Sequence, residues 1–418
     1  MIFLKTTTIV ALMKDTYYSR RYYLEAIQPF LGKKIVKVII GMRRVGKSYF
    51  LKQLKDYLFS QGIDERHFLL IDMESLEFDS IKTYKDFAQY VDKYFHKVGG
   101  KKILFVDEIQ EIEQWEKAIR SYFNDGNYDI IITGSNAQLL SSEIATLLAG
   151  RTIEIQMFPL SFKEFLEFNA IKDLNKGFKE YLIYGGMPAV YDFHLEEGQK
   201  RFKLLNALCD AIVLKDVVGR YNIRNSVLLE GLLRYVFDNV GNIFSAKKIV
   251  DYLKSQKQSM TMDTVRAYLS YLEAALIIYK VERFDIKGKR LLEIHEKYYV
   301  GDVGLRHSIL GYRETDISFL LENIVYLELK RRGYKIYVGK LYNKEIDFIA
   351  EQGGMRIYFQ VALSLSSKAV VEREFGALLE VKDNFPKYVL SMDEIFTSHI
   401  EGARWLNIKE FLMENAPI

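Results

Sequence analysis

The sequence predicts an α/β protein: a parallel sheet in the first domain, then a helical connector, a middle module of helices with a hairpin, and a second α/β domain. Three observations carry this expectation. Within Lys34–Leu54, KIVKVIIGMRRVGKSYFLKQL, an apolar strand enters a glycine-framed loop and a helical stripe starts at once. Two more apolar runs, ILFV and DIIITG, end in polar groups, as strands covered on both faces do when their C-terminal ends open onto a site. From about Asn225 the pattern changes to short helices, an alternating hairpin and a later helix–strand series. The expected segments are 15–170, 171–224, 225–305 and 306–418. At 418 residues the chain is too long for one ordinary core.

Composition narrows the class. Hydrophobic residues make up 49% and charged residues 27%, a globular balance, and 5 prolines argue against long disordered linkers. A net charge of +4 permits contact with nucleic acid without demanding it. The single cysteine, Cys209, excludes an intrachain disulfide and a cysteine-based metal cluster, and suits a reducing cytosol. The leader MIFLKTTTIVALMK lacks a long apolar core and a small-residue cleavage site, so it does not read as a signal peptide, and Met13 is an alternative start. No run of about 18 apolar residues occurs, so no membrane-spanning helix is expected and the chain reads as cytoplasmic.

Gly41-Met42-Arg43-Arg44-Val45-Gly46-Lys47-Ser48 fits the phosphate-loop pattern G-x-x-x-x-G-K-[ST]. Ile35 to Ile40 reads as a buried parallel strand, and Phe50, Leu51, Leu54 and Leu58 form the apolar stripe of the helix SYFLKQLKDYLFSQ, whose second residue, Tyr49, completes the stretch expected to bind the nucleotide. The loop would aim backbone N–H groups at the β-phosphate, with Lys47 reaching the β and γ oxygens and Ser48 ligating Mg²⁺. An ordinary glycine-rich turn explains the loop less well in this context. Ile103–Val106 then ends in Asp107 and Glu108. Asp107 is expected to hold Mg²⁺ through water and Glu108 to activate the attacking water, which implies hydrolysis. The third strand ends in Thr133-Gly134-Ser135-Asn136, where Thr133 and Ser135 either sense the γ-phosphate or simply turn and cap the chain.

The series GMRRVGKS, FVDEIQ, ITGSNAQLLSSEIATLLAGR, FPLSFKEF and YGGMP resembles a large prokaryotic family of AAA+-like P-loop ATPases, near the archaeal ATPases and the signal-transducing STAND group. Members typically carry a second C-terminal domain of unknown function. The resemblance runs from YYSRRYYLEAIQPFL to near residue 400. It implies an ATP site in which a Gly-Pro element, here ending at Pro188, lies against the nucleotide and links its state to the next domain. It also places a trans-acting arginine, and hence a homo-oligomer, in the region of Arg151; a cation complementing a helix C-terminus explains Arg151 equally well.

Downstream, SAKKIVDYLKS starts with a serine cap and MTMDTVRAYLSYLEAALII with Thr261 as cap, and a hairpin follows around Lys287-Gly288-Lys289-Arg290. Helix, turn, helix and hairpin describe a winged helix, in which Arg266 would face DNA and Lys287, Lys289 and Arg290 would contact phosphate. A purely structural transmitter is the competing reading. The last section resembles a restriction-endonuclease-like fold, with Glu322 and Asp347 at matching positions. Its next strand carries Gln360 and Ala362 where a working nuclease needs a metal-binding carboxylate and a lysine, so a catalytically silent relative is expected. The leading function is an ATP-hydrolysing switch or motor whose C-terminal half engages DNA or a partner. The alternative is a signal-transducing ATPase whose C-terminal half recognises protein only.

Overall fold

A computed structural model describes residues 18–136, 150–192, 198–397 and 399–414. The leader, Met13 and the helix expected ahead of Gly150 lie outside the described residues. The chain divides into two compact units, Met1–Met157 and Phe158–Ile418.

The first unit opens with α1 (Arg21–Ile27), then β1 (Val36–Gly41) and α2 (Lys47–Ser60). Next come β2 (Phe68–Asp72), α3 (Tyr84–Tyr94), β3 (Lys102–Asp107), α4 (Trp115–Asp125), β4 (Tyr128–Gly134) and β5 (Thr152–Met157). Local chemistry sets the ends of the helices. Thr83 and Asp86 close a reciprocal capping box ahead of α3, and Gly126, in the left-handed region, stops α4. The five strands form an all-parallel sheet in the order β2-β3-β4-β1-β5. Every residue of β1 and β4 is buried, which is why both read as unbroken apolar runs. One exception is Lys37, fully buried on β1 and paired with the Asp129 carboxylate of β4. Because β4 lies between β1 and β3, the C-terminal ends of these three strands come side by side.

The second unit begins with α5 (Phe162–Phe168), α6 (Leu174–Tyr184), α7 (Ala189–Asp192) and α8 (Gly198–Ile212), which runs into a π-helical stretch, Val213–Gly219. Then follow α9 (Ser226–Asp238), β6 (Ile243–Phe244), α10 (Ala246–Ser255) and α11 (Met262–Ala274). Ser245 and Thr261 cap α10 and α11 as their sequences predict. The hairpin is β7 (Ile278–Asp285) and β8 (Arg290–Val300). After α12 (Val303–Leu310) and α13 (Ile317–Arg331) come β9 (Lys335–Leu341), β10 (Lys344–Gln352), β11 (Met355–Val361), α14 (Lys368–Leu379), β12 (Lys387–Ser391), β13 (His399–Ile400), β14 (Ala403–Asn407) and α15 (Ile408–Met413).

The two compact units part at Met157. The boundary placed at 305 falls inside one nine-stranded sheet, β13-β14-β12-β11-β10-β9-β7-β8-β6. Its continuity rests on β7 pairing in parallel with β9, Arg283 opposite Val338 and Asp285 opposite Lys340. Pairing between strands separated by two helices leaves no local mark in a sequence, so the hairpin and the C-terminal strands read as separate modules.

Candidate nucleotide site

The phosphate loop is built by close packing and one left-handed glycine. A Cβ on Gly41 would stand 2.7 Å from the Met157 carbonyl oxygen and 2.9 Å from Val45, so only glycine lets β1 leave the sheet there. Gly46 takes φ +100° as N-cap of α2. Met42, Arg43 and Val45 turn their side chains inward and are buried, while Arg44, Ser48 and Tyr49 are exposed. The first three can therefore serve a phosphate only through backbone.

Lys47, the first residue of α2, is buried. Its Nζ donates to the carbonyls of Gly41 at 3.0 Å and Met42 at 3.4 Å, and stands 3.1 Å from Glu108 Oε1. Asp107 ends β3 and Glu108 follows in the left-handed region at φ 53°. Thr133, at the end of β4, ties the two acids together: its hydroxyl donates to Asp107 Oδ1 and accepts the Glu108 N–H at 3.0 Å. Ser48 also hydrogen-bonds Asp107.

The two acids diverge in protonation. Burial pushes the Asp107 carboxyl up, against the lowering effect of Ser48 and Thr133. Burial also works to raise Glu108, but Lys47, the Gln110 amide and Arg43 outweigh it and hold its pKa down at about 2. Glu108 is therefore ionised at neutral pH, with its charge committed to Lys47. A hard cation beside Ser48 and Asp107 would meet two adjacent oxygen ligands and would relieve the raised Asp107. These donors suit Mg²⁺, which takes few protein ligands and keeps waters and phosphates.

The fold thus brings together Gly41 through Ser48, Asp107, Glu108 and Thr133. Ser135 is fully buried at the end of β4. Arg151 is not brought to them. It precedes β5 beside the N-terminal end of β1, with Thr152 opposite Val36 and Met157 opposite Gly41. Five residues of strand, about 17 Å, separate that end from the loop. Its exposed guanidinium lies 5.7 Å from the Phe123 ring centroid instead. Pro188 belongs to the second unit, where it precedes α7. The turn before it is tightly held: a Cβ on Gly186 would meet the Leu160 carbonyl at 2.3 Å, and the Gly186 N–H donates to Asp302 Oδ2 at 2.7 Å.

Two contributors escaped the sequence reading. Arg20, buried ahead of α1, donates from Nη1 to the Val45 carbonyl at 3.0 Å, and its backbone N–H reaches Gln53 of α2 at 3.1 Å. It braces the apex of the loop from a segment with no motif of its own. Gln110, next to the acids in FVDEIQ, orients Glu108 and was legible only as a neighbour.

In the second unit, the acids expected for a nuclease do come together, around a lysine. Lys297 of β8 is buried, 2.9 Å from Glu322 Oε1 and 2.7 Å from Glu345 Oε1. Burial works to lower its pKa, but Glu322, Asp347 and Glu345 more than reverse this and hold it protonated. Asp347, at a bulge in β10, accepts the Val361 N–H at 2.8 Å, and burial pushes its carboxyl well up. Gln360 accepts the Asp347 N–H at 2.9 Å and donates to Glu374 at 2.9 Å. Among the described residues no group of three or more His, Cys, Asp or Glu could hold a metal ion.

A family model described as an AAA domain matches residues 33–166, and one described as a domain of unknown function matches residues 175–316. An uncharacterized protein of Haemophilus influenzae is 36% identical over 406 residues, covering 96% of this chain and all of its own length. An uncharacterized protein of Methanocaldococcus jannaschii is 32% identical, covering 91% of this chain and 87% of its own. Among solved structures, C. elegans PCH-2 is similar at 11% identity and a TM-score of 0.28, over 64% of this chain and 71% of that one.

Proposed function

This chain belongs to the AAA+ P-loop ATPase family, and from that premise we propose that it binds ATP with Mg²⁺, hydrolyses it, and uses the cycle to switch a second unit that engages DNA. The observation that carries the reading is the Lys47–Glu108 contact of 3.1 Å beside a threonine that bridges Asp107 and Glu108. Arriving phosphates draw the Lys47 ammonium toward the β and γ oxygens. The largest of the influences lowering Glu108 then leaves, so its basicity rises as substrate arrives. Glu108 accepts the proton of the attacking water, Thr133 keeps both acids in place, and Ser48 with Asp107 would hold Mg²⁺, which supplies charge neutralisation at the phosphates.

For the second unit, α10, α11 and the β7–β8 hairpin follow in winged-helix order. Arg266 on α11 stands 3.4 Å from Asp263, which blunts it as a phosphate contact, and this favours the hairpin cations. A protein-only partner is the competing reading. Arg151 is assigned to a neighbouring subunit's site, since in its own chain it stands at the far end of the sheet. No helix among the described residues is long and apolar enough to cross a membrane, and we place the protein in the cytoplasm.

The test is ATP turnover with and without DNA, duplex and single-stranded, across salt, with Lys47→Ala as the control. Turnover that requires Lys47 and rises with DNA, less so at high salt, supports the reading. Turnover unchanged by Lys47→Ala overturns the ATP site; turnover indifferent to DNA favours the protein-only partner.

A further inference from the structure

We propose that a basic cavity along β9 in the second unit binds single-stranded nucleic acid, an inference that rests on the reading that this unit engages nucleic acid and names where and in what form. The cavity measures about 850 Å³. It reaches from Lys335 at the start of β9 to Tyr342 just past its end, a span of about 20 Å, longer than a small metabolite requires.

Four lysines line it: Lys287 and Lys289 from the hairpin turn, Lys335, and Lys382 from the loop after α14. All four are exposed, and none has a carboxylate within ion-pair distance among the described residues. The acids that share the lining are committed elsewhere. Glu351 accepts from Arg356 at 2.7 Å, Glu380 from Lys344 at 2.6 Å, and Asp383 pairs with Lys387 at 3.1 Å. The four lysines thus face solvent without a direct ion pair, although Lys335 is held by the Tyr337 side chain and feels Glu282 and Glu351 at longer range; apolar and aromatic side chains, Phe284, Ile286, Met355 and Phe385, share the lining with them.

The aromatic component decides between duplex and single strand. Tyr342 is 59% exposed, and Lys287 Nζ stands 4.6 Å from its ring centroid. An exposed ring beside a lysine offers a base one face to stack on and its phosphate a cation. A duplex hides its base faces and gains nothing from the ring. An acidic peptide would use the lysines and leave Tyr342 idle.

The experiment is fluorescence anisotropy of a labelled 20-nucleotide oligothymidylate against the full chain, between 50 and 200 mM salt. Four phosphates neutralised on a single strand predict a log–log slope of about −2.8, or about 50-fold weaker binding over that range. Lys287→Ala with Lys289→Ala should cut the slope to about −1.4; both residues are exposed in a turn, so an unchanged melting temperature confirms folding. Tyr342→Ala should weaken binding by about 5- to 150-fold with the slope unchanged. Tighter binding of a duplex of equal length overturns the single-strand assignment. Loss of binding in Arg266→Ala, with the lysine pair without effect, overturns the cavity but keeps nucleic-acid engagement. No oligonucleotide binding at any salt overturns both, and displacement by polyglutamate as readily as by oligothymidylate assigns the cavity to an acidic protein.

Discussion

Glu108→Gln should separate binding from hydrolysis, because the proposed role of Glu108 acts in opposite directions on the two steps. In the free protein its carboxylate holds the Lys47 ammonium at 3.1 Å. At an effective dielectric near 20, that contact is worth about 5 kcal/mol before desolvation is charged against it. Desolvation of both groups and the carbonyl contacts Lys47 keeps absorb most of this, leaving about 1.5 kcal/mol that ATP must overcome. The amide removes that competitor and a negative charge beside the phosphates. ATP should therefore bind about tenfold tighter, while turnover falls by about 10²-fold or more for want of a base. Isothermal titration gives the first number and phosphate release the second. The pH dependence has a fixed sign: Glu108 is depressed to about 2, so its stabilising pair is present above the ordinary glutamate range and lost as pH falls through 4.5 toward 2. ATP bound more weakly by the variant, or turned over as fast as by the parent, refutes the role given to Glu108.

Arg20→Ala removes a charge-assisted hydrogen bond to the loop apex and should cost about 1.5–3 kcal/mol, with ATP affinity down about tenfold and kcat nearly kept; a lower melting temperature with unchanged affinity would make Arg20 merely structural. Mixing Arg151→Ala with Glu108→Gln should restore some turnover in mixed interfaces, and no complementation at any ratio favours a purely local role for Arg151. Lys297→Met leaves Glu322, Glu345 and Asp347 without their shared cation and should cost about 3–5 kcal/mol in thermal unfolding. Neither the parent nor Asp347→Ala should cleave DNA with Mg²⁺ or Mn²⁺; divalent-dependent nicking lost in Asp347→Ala overturns the silent reading. His307, held neutral by burial with a pKa down at about 4, contributes stability present above 6.5 and lost as pH falls toward 4. His307→Gln should flatten that part of the acid-unfolding curve by about 3 kcal/mol, and an unchanged curve excludes it.

The sequence by itself determined the parallel sheet of the first unit and which side chains stand at its loop and strand ends. A strand buried on both faces must be apolar almost throughout, and a loop that leaves the sheet this closely, with one left-handed residue, needs glycine at Gly41 and Gly46; both constraints are local, so both are written in consecutive residues. Asp107 and Glu108 were legible for the same reason, as acids ending an apolar run. The tertiary structure alone decided what depends on pairing at long range. The order β3-β4-β1 carries Thr133 between the acids and the loop, and Arg20 meets Val45, 25 positions further along the chain. Parallel pairing of β7 with β9 merges two apparent modules into one sheet, and β8 delivers Lys297 to acids from α13 and β10. An ammonium placed among carboxylates is a property of three-dimensional proximity, and its sequence signature is only a lysine on a strand. The place of Arg151 was decided in the same way: the sequence left a trans-acting role and a helix-end role open, and the parallel register of β5 against β1 puts the residue beside the N-terminal end of β1.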